Sequence, residues 1–140
     1  MTDERLQNAE QLDNEITGLL IKIANGLTPE LAEGWARDID EGADTAGAYF
    51  VYLYYCANHG KTIWKMDTLC SVEDTENDWE VVNVDADYED FNNSVVTLIN
   101  RARTVEDTLT IADFEHGEWL FSRAEYEKTI VQGWGRTFNE

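Results

Sequence analysis

The chain of 140 residues holds one proline, two cysteines, two histidines and only ten lysines and arginines. Each scarcity excludes something. A single proline and no low-complexity run argue against a linker or a disordered tract. Cys56 and Cys70 form no Cys-x-x-Cys pair, so neither a redox motif nor a zinc knuckle is supported, and in the cytosol both would be reduced thiols. His59 and His116 each precede a glycine in sequence that predicts a turn, and no His or Cys stands at zinc-ligand spacing. No apolar run approaches the ~20 residues that a bilayer-spanning helix needs. Met1-Thr-Asp-Glu opens on acids and not on the apolar core of a signal peptide, so the expectation is a soluble, cytosolic protein.

Bases are scarcest relative to acids: 10 against 29, for a net charge of −19. Phosphates would be repelled, which disfavours direct binding to nucleic acid and to an anionic membrane. Catalytic signatures are missing too. There is no Gly-x-Ser-x-Gly, and Gly133-Trp-Gly135 precedes no helix long enough to cradle a phosphate. Asn83-x-Asp85-x-Asp87 begins like a calcium loop, but Tyr88 stands where that loop needs Gly and Ser94 where it needs Glu. Paired carboxylates of the glycosidase kind carry no information in so acidic a chain. Cys56 has only His59 nearby as an activating base. The expectation is a protein with no catalytic residues, no cofactor and no metal.

What is present is the material of a core: 43% apolar residues, 11% aromatic, five Trp and six Tyr. That composition predicts one folded domain over residues 1–140. Leu6, Ala9, Leu12, Ile16, Leu19, Leu20, Ile23 and Leu27 recur at helical spacing and predict a long first helix, stopped by Asn25-Gly26. Thr28-Pro29 starts a second, short helix that ends at Gly34-Trp35. Three strands are then expected, at Ala36–Asp40, at the aromatic run Ala48–Ala57, and at Thr62–Met66 after a turn with Gly60 at positive φ. Trp79–Val84 reads as a short strand. Asp87 caps a helix from Tyr88 to about Arg103 that buries Tyr88, Phe91, Val95, Leu98, Ile99 and Ala102. Thr108–Ala112 and Glu118–Ser122 form a final hairpin, and Arg123 onward reads as a short helix and a loose tail. The fold class is therefore α+β: a long N-terminal helix on an antiparallel sheet made of a three-strand meander, then a helix and a final hairpin.

One stretch stands out for function. No Lys or Arg occurs between Lys65 and Arg101, and Glu73, Asp74, Glu76, Asp78, Glu80, Asp85, Asp87, Glu89 and Asp90 crowd the first half of that interval. Trp79, Val81, Val82 and Tyr88 lie among them, which a purely solvating tail would lack. These acids, with Trp79, are the candidate partner-binding residues. An exposed Trp79 would be a hot spot ringed by charge, and a buried one would pin the segment to the core. The fitting partner is a protein with a basic surface, which an opposite field attracts and steers.

The order of elements resembles the YezG-like family of bacterial immunity proteins, the antitoxins of polymorphic toxins. The residues that carry the likeness are Ile23-Ala-Asn-Gly-Leu-Thr-Pro-Glu30 leading to Trp35, then Ala48-Tyr-Phe-Val-Tyr-Leu-Tyr54 with Gly60, and Asp107-Thr-Leu-Thr-Ile111 followed by Gly117 and an aromatic strand. The tail after Tyr126 departs from the pattern. The resemblance implies a small α+β protein that binds a cognate toxin, commonly a nuclease with a basic cleft, and blocks it. It brings no catalytic residues, and no toxin contacts that transfer by position. Rival readings of the same acidity are a DNA-mimic inhibitor such as a phage anti-defence protein, a small carboxylate-dependent enzyme, and adaptation to a saline habitat.

Overall fold

A computed structural model describes residues 15–42, 45–66, 77–114 and 119–139, the last helix by its backbone alone beyond Val131. The chain is α+β, and the described residues form five helices and a five-stranded antiparallel sheet in the order β4-β3-β2-β1-β5. The helices are α1 (15–25 of the described residues), α2 (Pro29–Asp40), α3 (Ala46–His59), the single turn α4 (Ile111–Phe114) and α5 (Arg123–Asn139). The strands are β1 (Thr62–Lys65), β2 (Asp78–Asp85), β3 (Val95–Asn100), β4 (Val105–Thr110) and β5 (Trp119–Leu120). β1 to β4 run as a meander, and β5 returns to the other side of β1.

α3 is the centre of the molecule, and it corrects the expected strand at Ala48–Ala57. Thr45 caps its start, accepting from Ala48 N at 3.3 Å. Gly60 ends it in the left-handed region at φ 61°, with Gly60 N–H donating to Cys56 O. Between the caps, Tyr49 through Leu53, Tyr55 and Cys56 are all buried. An unbroken apolar run has the same pattern whether it is a two-sided strand or a helix covered all round, so periodicity cannot separate them. Here α2, α4, the sheet and the Phe91 turn surround it. The expected three-strand meander therefore keeps only its last member, β1. Ala36–Asp40 is not a strand either: α2 runs through Gly34 and Trp35 to Asp40. Its start is as the sequence predicts, with Pro29 in the first turn and Thr28 Oγ1 accepting from Leu31 N at 3.2 Å.

The expected helix from Tyr88 to Arg103 is corrected as well. Asp90 caps a 3-10 turn at Phe91–Asn93, and β3 follows, with Val96, Leu98 and Asn100 buried and the residues between them less so. Val-Val-Thr-Leu-Ile is dense in β-branched residues, which favour a pleated surface over a helix. Arg101 and Arg103 sit not at a helix end but in the four-residue turn from β3 to β4. The expected final hairpin is absent among the described residues. β4 stops at Thr110, α4 takes up Ile111 and Ala112, and Trp119–Leu120 pairs with Trp64 and Lys65 of β1. In α1 the inward face is Thr17, Leu20, Ile21 and Ala24, while Leu19 is exposed.

The main core lies between α3 and the inner face of the sheet, where Ile63, Trp79, Val81, Val96 and Leu98 meet Phe50, Leu53 and Tyr49. A second, smaller cluster on the outer face joins Trp64 and Leu120 to Tyr126 and Ile130 of α5. Tyr126 is held there by donating from its hydroxyl to Asn77 Oδ1 at 2.7 Å.

Candidate functional site

Strand alternation divides the acidic stretch between two faces. Along β2, Trp79 and Val81 turn inward and are buried, while Asp78 and Glu80 lie on the outer face. Trp79 is 6% exposed and meets Trp119 edge to face at 6.2 Å. It pins the sheet, and the hot-spot role is excluded for it. Glu80 Oε2 accepts from Arg101 Nε at 2.8 Å and Nη2 at 2.6 Å, tying β2 to the β3–β4 turn. Arg101 is largely exposed, so the pair contributes little stability. A β-bulge between Val81 and Asn83 then resets the alternation, and Val84 opposes Val96 while Asp85 points to solvent. Glu73, Asp74 and Glu76 lie outside the described residues.

The four remaining candidates gather on the connection from β2 to β3. Asp87 Oδ1 accepts from Glu89 N at 2.9 Å and Asp90 N at 3.2 Å. Asp90 Oδ1 accepts from Asn92 N at 3.1 Å. These are Asx turns, so two of the acids build the loop they sit on. The connection is also tied down from outside: Asp87 N donates to Ser94 Oγ at 2.9 Å, and Thr17 Oγ1 of α1 donates to Asp87 O at 3.4 Å. Asp85 and Glu89 are exposed, and their carboxylates take no part in that framework.

Tyr88 stands in the middle of this loop and is 49% exposed. Val95, at the start of β3 opposite Asp85, is 37% exposed. The sequence pattern predicts a buried helix face for both, which hides Tyr88 as the exposed aromatic among the acids. The local signal was there: an aromatic with Asp-Glu-Asp on its flanks, next to a turn-forming Asp, sits on a loop and not in a core. Structure therefore brings Asp85, Asp87, Glu89 and Asp90 together around Tyr88. Asp78 and Glu80 stay apart from them, on the outer face toward the other end of β2.

A further acid was missed altogether. Asp40 ends α2, and both its oxygens accept from Phe121 N at 3.0 Å, while Oδ2 accepts from Ser122 N at 2.7 Å. Burial raises its pKa to about 6; the two main-chain bonds pull it down and nearby Glu125 pushes it up. Cys56 is fully buried, and desolvation lifts its thiol to about 12, so it is no nucleophile. His59 faces Tyr55, stacked at 4.2 Å with Nδ1 2.9 Å from Tyr55 O, and does not activate Cys56.

Among the described residues, no group of three or more His, Cys, Asp or Glu is placed to hold a metal ion. Among them, too, no helix is long and apolar enough to cross a membrane. No family model matches the chain, and no curated protein or solved structure is significantly similar to it.

Proposed function

We propose that the protein is an inhibitor of the immunity-protein kind, which docks the β2–β3 connection onto the basic face of a cognate toxin domain. The observation that carries this is Tyr88, exposed among Asp85, Asp87, Glu89 and Asp90 on a connection hydrogen-bonded to α1 and closed on itself through Ser94, just before β3. A large aromatic on a rigid loop contributes contact area at little entropic cost, and the ring of carboxylates supplies the field that steers a basic partner. The net charge of −19 and the absence of any base from residue 66 to residue 100 extend that field. The resemblance to YezG-like proteins supports a toxin as the partner, and a nuclease as its class.

The test is calorimetric titration against the toxin domain encoded beside this gene. Tyr88→Ala is expected to cost about 2 kcal/mol or more of binding, as a hot-spot truncation does. Asp85→Lys with Glu89→Lys is expected to weaken binding about tenfold at low salt and much less at high salt. Unchanged affinity in both variants would remove this connection from the interface. A neighbouring gene that encodes no toxin, with binding instead to a host nucleic-acid-binding protein, would replace the immunity role by that of a DNA-mimic inhibitor.

A further inference from the structure

β5 is two residues long, so it covers β1 at Trp64 and Lys65 and, among the described residues, leaves the start of β1 without a strand neighbour on that side. Past the point where the strands part, the chain turns at Phe121 and Ser122 into α5. Between this turn, α2 and the start of β1 lies a cleft of about 310 Å3. That is at the lower end of the size range of small-molecule sites, about 300–1,000 Å3.

About half of the wall is apolar, and that part is already set. Ala32 and Ala36 of α2, Tyr52 and Tyr55 of α3, Trp64 and Phe121 line the cleft, and all are buried. Tyr52 stacks on Phe121 at 5.8 Å, and Trp64 on Tyr126 at 5.2 Å, so a ligand would meet side chains held by their own packing.

Two cations, Lys61 and Arg123, also line it, in a chain that has ten bases against 29 acids. Arg123 is braced: its Nε donates to Glu127 Oε1 at 2.8 Å, and its Cζ lies 5.6 Å from the Trp64 ring centre and 5.8 Å from that of Tyr126. Lys61 makes no ion pair among the described residues. Among the described residues, Glu33 is the one acid on the lining. Asp40 stands behind the Phe121–Ser122 turn with its oxygens engaged by main-chain amides. Trp64, on the lining, has a buried indole Nε1 with no hydrogen-bond partner among the described residues. Buried donors without partners are rare and costly, and a bound acceptor is one common answer.

We infer that this cleft binds a small organic monocarboxylate, with its acid group between Lys61 and Arg123 and its apolar body against Ala32, Ala36 and Tyr55. A planar guanidinium matches a planar carboxylate. The apolar part of the wall, at Ala32, Ala36 and Tyr55, calls for an apolar body. The field of a protein at −19 penalises each added negative charge, so a single charge is favoured over a phosphate ester's two. The site lies at the β1–β5 side of the sheet, away from Tyr88, and stands whether or not the inhibitor reading does.

The experiment is an NMR titration of the whole protein with phenylacetate, following the indole N–H of Trp64, with hexanoate as an aliphatic acid and phenylacetamide as the neutral isostere. Phenylacetate is expected to saturate with a dissociation constant on the order of 1 mM, as suits a ligand of this size. Hexanoate should shift the same resonance, phenylacetamide should bind about tenfold more weakly, and Lys61→Gln should weaken phenylacetate by a similar factor. Arg123→Gln removes packing from Trp64 as well as charge, so the exposed Lys61 carries the comparison. The inference is overturned if phenylacetamide binds as well as phenylacetate. It is equally overturned if Lys61→Gln changes nothing, or if neither acid moves the Trp64 resonance at concentrations on the order of 10 mM.

Discussion

Asp40 makes the stability of the protein fall as pH rises through the weakly acidic range. Its carboxyl joins the end of α2 to the Phe121–Ser122 turn, and burial lifts its pKa from the ordinary 3.8 to about 6. The folded protein thus holds this proton more tightly than the unfolded chain does. Below pH 3.8 both states carry it and pH has no effect through this group. Between 3.8 and about 6 the unfolded chain ionises first, so stability drops, and above about 6 the loss is complete. At about 1.36 kcal/mol per pH unit the full difference is about 3 kcal/mol. Asp40 is half-buried, and solvent screening reduces that to roughly 1–2 kcal/mol. Other acids also repel one another as pH rises, so the clean quantity is a difference of differences. Urea unfolding of the wild type and of Asp40→Asn should be followed from about pH 4 to pH 7.5. The wild type is expected to lose about 1–2 kcal/mol relative to the variant over that span, whatever constant offset the amide introduces. A flat difference, or one that favours the wild type as pH rises, would refute the account.

Two further outcomes follow from backbone geometry. Thr104 holds φ 55° in the β3–β4 turn, the one non-glycine residue in that region among those described, so Thr104→Gly should raise stability by about 1 kcal/mol in thermal or urea unfolding. β4 is an edge strand, and two of its outward amides are occupied: Thr108 N donates to Asp107 Oδ1 at 2.8 Å and Thr110 N to Asp113 Oδ2 at 2.9 Å. Replacing Asp107 and Asp113 by Ala together should open the edge, giving concentration-dependent association by sedimentation along with a loss of about 1 kcal/mol from the lost caps.

How much of this was legible differs residue by residue. Thr28-Pro29 announces a helix start because cap and φ constraint are both local, and Gly60 announces positive φ because only a missing Cβ makes it cheap. Thr62–Met66 and Trp79–Val84 read as strands and largely are, ending at Lys65 and Asp85. The run from Ala48 to Ala57 misled because β-prone aromatics on a helix buried on every side erase both periodicities. Tyr88 was misplaced with it, since a helix drawn from Tyr88 to Arg103 turned an exposed loop residue into core. Asp87 was legible as a capping acid, though what it caps is a turn and not a helix. Asp40 could not be read at all: its partners are main-chain amides 81 and 82 residues away, and a backbone amide has no signature in sequence.

The position of β5 also orders events while the chain is being made. β1 to β4 are sequential neighbours, so each can pair with the strand that emerged just before it. The far side of β1 must wait for Trp119 and Leu120, since Trp64 opposes Leu120 and Lys65 opposes Trp119. For that interval a nascent chain carries an open strand in its middle, and open edges recruit other chains. Two of the four lysines, Lys61 and Lys65, bracket that strand, and lysine is the side chain that most effectively discourages edge-to-edge pairing. In a protein so poor in positive charge, their placement protects the strand whose second partner is synthesised last.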